Sequence, residues 1–166
     1  MLIQKVAIHF LACGWMTYAP LPTMDQIMTD LAEALLPADI LARADFRHNE
    51  YAWRFADLPD VIAAARECGL RTLGGQLQIR TNEAIGECYW VAVDPCRTID
   101  ETLPWDVQVG MSAETALNSL KEIADEFDFA QELRDAFPDP VAAYEAAGHV
   151  LADAVWFAWY VDAKPE

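Results

Sequence analysis

Two consecutive runs of period-two hydrophobicity, joined by a short polar turn, constrain this chain most. Leu73, Leu77 and Ile79 alternate with Thr72, Gln76, Gln78 and Arg80, the pattern of a half-buried strand. Residues 81–86 turn the chain. Residues 87–93 return as a strand apolar on both faces, with Cys88, Trp90 and Ala92 opposed to Tyr89, Val91 and Val93, as a central strand requires. The two runs predict an antiparallel hairpin with Leu77 and Ile79 inside and Gln76 and Gln78 outside, because a one-residue slip would turn every apolar side chain outward. Gly74-Gly75 falls inside the first run. A phosphate cradle needs a helix N-terminus and a following Lys-Ser/Thr or third glycine, so a bulge or a close backbone approach is the plainer reading.

The remaining segments supply further strands and several helices. Residues 2–10 alternate as a strand. Thr23-Met24-Asp25-Gln26 has the form of a capping box. It opens a helix with the stripe Met24, Ile27, Met28, Leu31 and Leu35, stopped by Pro37. Tyr51, Trp53 and Phe55 form a short aromatic strand. Asp57 and Pro59 start a helix carrying Val61, Ile62, Ala65 and Cys68 inward, with Gly69 as its left-handed end. A polar loop over 94–103 leads to a short strand through Trp105, Val107 and Val109. Ser112 then caps a helix with Leu117, Leu120, Ile123 and Phe127 inward, and Asp128 has the form of a second cap, for a kink or a fresh helix running to Phe137. Another helix starts near Asp139, and residues 155–161 read as a strand from their β-branched and aromatic content. With 54% apolar residues in 166, the chain has core enough for one domain without metal or disulfide staples. The expectation is a single α+β domain: an antiparallel sheet of about four to six strands with helices packed on it.

Charge restricts the partners. The chain carries 27 acids against 11 bases, and residues 101–166 alone hold 14 against 3. Such a field repels phosphate backbones and anionic lipid, so neither nucleic acid nor membrane is an expected partner, whereas a basic protein would be drawn in. No run approaches the roughly 18 apolar residues of a membrane span. The apolar stretch before Cys13 fits a secretion signal poorly, which makes a cytoplasmic location the expectation. Cys13, Cys68, Cys88 and Cys96 lack paired or zinc-like spacing and are read as reduced, with Cys68 and Cys88 as small core residues.

No nucleophile-elbow, zincin, EF-hand or Walker pattern occurs, and no cofactor or metal is implied. Glu145, His149 and Asp153 would share a face on a continuous helix, but a carboxylate-bridged site repeats Glu-x-x-His on a second helix and no second copy exists. The strongest signal is a one-signed surface. Glu114, Glu122, Asp125, Glu126, Asp128, Glu132 and Asp135 face only Lys121 and Arg134, forgoing the interspersed lysines that support an ordinary exposed helix. The leading expectation is a non-enzymatic binding or inhibitory module of the immunity or antitoxin type, engaging a basic protein through these carboxylates. The alternative is a small-molecule-binding domain or enzyme with a pocket near the Gly74-Gly75 strand and the Arg47–Glu50 loop, lined by Arg47, His48, Glu50, Trp53 and Trp90.

Overall fold

The computed structural model describes residues 31–165. Five strands, β1 (Asp45–Arg47), β2 (Glu50–Trp53), β3 (Arg71–Arg80), β4 (Ile85–Val93) and β5 (Val155–Asp162), form one antiparallel sheet in the order β1-β2-β5-β3-β4. Five helices accompany it: α1 (Ala38–Leu41), α2 (Leu58–Glu67), α3 (Trp105–Glu126), α4 (Phe129–Ala136) and α5 (Pro138–Ala146). The α+β architecture is as the alternation and capping patterns predict. No helix among the described residues is long and apolar enough to cross a membrane.

The sheet's two faces have different chemistry. On one, Trp53 lies opposite Phe157, Phe157 opposite Leu77, and Leu77 opposite Cys88. This face receives Val61 and Ile62 of α2, Leu120 and Ile123 of α3, and Leu133 of α4. Trp53, Phe157 and Trp159 are fully buried here, each removing about 150–250 Å² from water, worth roughly 4–6 kcal/mol before entropy. The Trp53 indole N–H is satisfied by the carbonyl of Ile40, 2.9 Å away. The other face carries Glu50, Ala52, Gln76, Gln78, Ala158 and Tyr160.

Among the described residues the central strand is β5, and β4 is an edge. This corrects the expectation that residues 87–93 are central. Glu87, Tyr89, Trp90 and Ala92 are exposed while Cys88, Val91 and Val93 are buried, so β4 has one apolar face and only looks two-sided in sequence. The hairpin of β3 and β4 is present, and Leu77 and Ile79 are buried as predicted. Gln78 is fully buried too, against expectation, because its amide has side-chain partners.

At Gly74-Gly75 the ladder to β5 shifts between Thr72 and Gly74, and Gly74 adopts φ 101°. A Cβ on Gly75 would stand 1.8 Å from the Ala158 carbonyl oxygen. Both expected features, a bulge and a close backbone approach, are therefore present. The shift also reverses the facing upstream, which buries Thr72 completely and leaves Leu73 half-buried rather than aligned with Leu77.

Three further expectations are corrected. The segment of Trp105, Val107 and Val109 opens α3, with Pro104 at its start, because five alternating residues cannot distinguish periods and the buried stripe Val109, Ala113, Ala116, Leu120, Ile123 continues through it. Ser112 is thus inside the helix. Its hydroxyl donates to Val109 O at 3.0 Å and accepts the Thr72 N–H at 3.1 Å, tying α3 to β3. Cys68 is exposed because α2 ends at Glu67, and the chain leaves through Gly69 at φ 72°. The expected strand over 2–10 and the capping box at 23–26 lie outside the described residues. Where that helix's stripe would end, Ala32–Leu35 forms one 3-10 turn with Leu35 exposed.

Candidate binding surface and a buried polar network

The acidic residues group on α3, α4 and the bend between them. Glu114, Glu122, Asp125, Glu126, Asp128 and Asp135 are exposed, and Glu132 is half-buried. Asp128 serves the fold directly, since its Oδ1 accepts the Gln131 N–H at 3.1 Å and so caps α4. Glu122, Asp125 and Glu126 cap nothing. They occupy the end of α3, where unsatisfied carbonyls already carry partial negative charge, and no basic residue stands in that turn. Of the two nearby bases, Arg134 is engaged by Glu145 of α5 at 2.8 Å.

An aromatic pair borders these helices. Opposite Gln76 and Leu77 the β4 partners are Ala92 and Cys88, so Tyr89, Trp90 and Val91 fall outside the regular ladder. Val91 turns into the core and the two aromatics turn out, Tyr89 at 75% and Trp90 at 45% exposure. Their rings meet edge to face, centroids 5.2 Å apart. The Trp90 indole N–H donates to Glu132 Oε2 at 2.8 Å, joining the pair to α4. Burial, then the nearby Glu132, raises the Cys88 thiol to about 11.

The second group of sequence-derived residues divides. Arg47 and Glu50 pair across a tight two-residue turn in which His48 and Asn49 both take positive φ, as a type I′ hairpin requires. Sequence reasoning missed their true partners. Arg80, its side chain fully buried, donates from Nη2 to Glu50 Oε2 at 2.8 Å, from Nη1 to Asp45 O at 2.8 Å and from Nε to Gln78 Oε1 at 2.7 Å. Gln78 Nε2 also reaches Glu50 Oε2 at 2.8 Å, and the Tyr160 hydroxyl donates to Glu50 Oε1. Arg47 Nε donates to Asp45 Oδ2 at 2.7 Å, and its Nη1 reaches the Thr81 carbonyl. Burial first, and the bond to Glu50 second, raise the Tyr160 phenol, so it stays a donor. Two guanidiniums balance two carboxylates, which makes this network a lock between β1, β2, β3 and β5. The sequence signal was a charged residue ending an alternating strand; its partners are 30 and 35 positions away.

The other residues of that group do not converge. His48 is exposed at the turn, Trp53 belongs to the core, Gly74 and Gly75 are closed off by backbone, and Trp90 lies on the edge strand. Glu145, His149 and Asp153 do not share a helix, since α5 ends at Ala146 and Gly148 takes φ 87°. His149 instead stacks on Tyr144, centroids 4.6 Å apart. These two rings, with Asn82, Glu83 and Ala147, line a cleft of about 370 Å³ between the β3–β4 turn and α5. Among the described residues no group of three or more His, Cys, Asp or Glu is placed to hold a metal ion. Comparison with protein-family models, with curated proteins and with solved structures finds no match to this chain.

Proposed function

We propose that this chain is a protein-binding module whose acidic α3–α4 surface engages a basic protein, in the manner of an inhibitor shielding a cationic binding face. The observation that carries this reading is the run of Glu122, Asp125 and Glu126 at the negative end of α3, whose last turn holds no base and which has only Lys121 just before it. Carboxylates there oppose the helix's own field, at a cost in stability. Selection for stability alone would favour lysine or arginine at those positions. A partner rich in Lys and Arg offsets the cost, because complementary fields accelerate encounter and reject acidic competitors.

The test compares wild type with Glu122→Lys/Asp125→Lys/Glu126→Lys in capture from source lysate at low and high salt. Wild type should retain a basic protein that salt releases, and the reversed variant should associate more slowly. The difference should shrink as salt rises, since the Debye length is about 8 Å at physiological ionic strength. A partner whose association rate ignores both salt and charge reversal would refute the reading. Small-molecule binding, the second reading, is favoured by the cleft beside Tyr144 and His149, whose volume reaches the lower end of ligand sites.

A further inference from the structure

We infer that Tyr89, Trp90 and Glu132 form a receptor for a single arginine side chain of the basic partner, an inference that rests on the basic-partner reading of the acidic surface. Cys88 and Val91 are fully buried and pin the strand on either side, so the outward course of Tyr89 and Trp90 is fixed by the core. Leaving two large aromatics in water forfeits burial that the fold gives to Trp53 and Trp159. Exposed Tyr and Trp beside charge are the residue types that anchor protein interfaces. The bond from the indole to Glu132 Oε2 fixes the ring and sets a carboxylate at its edge. No Lys or Arg among the described residues pairs with Glu132, and its Oε1 accepts no hydrogen bond from them.

A ring face next to a carboxylate suits a planar cation. A guanidinium can stack on the indole while donating sideways to the carboxylate, whereas an ammonium is a compact, strongly hydrated point charge. The chain uses the same combination internally. Arg71 lies 5.1 Å over the Trp105 ring and donates to Asp162 at 2.9 Å. Arg54 also stacks on an indole, that of Trp156 at 3.7 Å, with the Val155 backbone carbonyl at 2.9 Å in place of a carboxylate.

The experiment titrates the full chain with matched peptides rich in arginine, in lysine or in glutamate, following the indole N–H resonance of Trp90, assigned by its loss in Trp90→Phe. The arginine peptide should shift that resonance and bind more tightly than the lysine peptide, and the glutamate peptide should not bind. Tyr89→Ala and Trp90→Ala should each weaken the arginine peptide by about two- to fivefold, as for a cation–π contact at an exposed site. Glu132→Gln keeps an acceptor for the indole but loses the charge, and should weaken it as well. Tyr89 is the most exposed of the three, so its variant keeps the test valid even where a change at Trp90 disturbs the strand. Equal affinity for the arginine and lysine peptides, or indifference to Tyr89→Ala and Glu132→Gln, would overturn the receptor. If Glu122→Lys/Asp125→Lys/Glu126→Lys then still weakens binding, the acidic surface stands without it. If neither cationic peptide binds wild type at low salt, the basic-partner reading falls and takes the receptor with it.

Discussion

Arg80 and Glu50 meet across the sheet, Nη2 to Oε2 at 2.8 Å, with the guanidinium wholly withdrawn from water. Neither side chain is satisfied without the other, since Gln78 and Tyr160 complete Glu50 while Gln78 and Asp45 complete Arg80. Arg80→Met should therefore cost about 3–5 kcal/mol in denaturant unfolding, the range for removing one partner of a buried pair. Arg80→Met/Glu50→Met should cost clearly less than the sum of the two single changes, because the double variant leaves no orphaned partner in that pair. Strict additivity would mean that the two residues act independently.

Glycine substitutions should separate by position. Gly74→Ala places a Cβ 2.0 Å from the Val93 carbonyl oxygen at φ 101°, and Gly75→Ala places one 1.8 Å from that of Ala158. Either should cost more than about 3 kcal/mol, as strain and overpacking in a central pairing do. At Gly110, inside α3, an added Cβ meets nothing within 4 Å. Gly110→Ala should raise stability by up to about 1 kcal/mol. Thermal or chemical melts of the three variants check the order, and a stable Gly75→Ala would contradict the register of β3 and β5.

Thiol reactivity should follow burial. Cys68 is exposed at the end of α2, whereas Cys88 is enclosed and its thiol is raised to about 11. The thiolate is the reacting species. Alkylation of the native protein at neutral pH, read by peptide mapping, should modify Cys68 readily and Cys88 only after unfolding. Modification of Cys88 at the rate of Cys68 would show that β4 opens far more easily than its packing suggests.

Glu33 is a buried carboxyl whose Oε1 accepts the Val161 N–H at 2.9 Å. Burial raises its pKa above 4.5, against the lowering effect of that bond. A carboxyl raised in the folded state holds its proton more tightly there than in the unfolded chain. Its contribution therefore favours folding in acid and is lost as pH rises through the folded value. Glu33→Gln keeps an acceptor without the charge. The variant should gain stability relative to wild type on going from acid to neutral pH, as measured by unfolding at both. A relative gain by wild type over that interval would reverse the assignment.

Local sequence determined much of the secondary structure. The hairpin of β3 and β4, the caps at Gly69 and Asp128, the strand at 155–161 and the bulge at Gly74 all follow from rules acting within a few residues, where period, positive φ and capping chemistry leave a readable mark. The acidic surface was legible for the same reason, since net charge on one helix face needs no partner to be counted. Tertiary structure decided the rest. That β5 is central and β4 an edge depends on strand order, which alternation does not encode. Trp90 and Ala92 looked as core-like as Val91, but the break in the β3–β4 ladder turns Trp90 outward and Ala92 lies beside Gln76 on the sheet's other face. Arg80 and Gln78 read as solvent-facing because polarity predicts exposure only while side chains lack partners. The partners here come from β1, β2 and β5, and their carboxylates and phenol replace water atom for atom, so burial of a charge became stable only once the distant strands met.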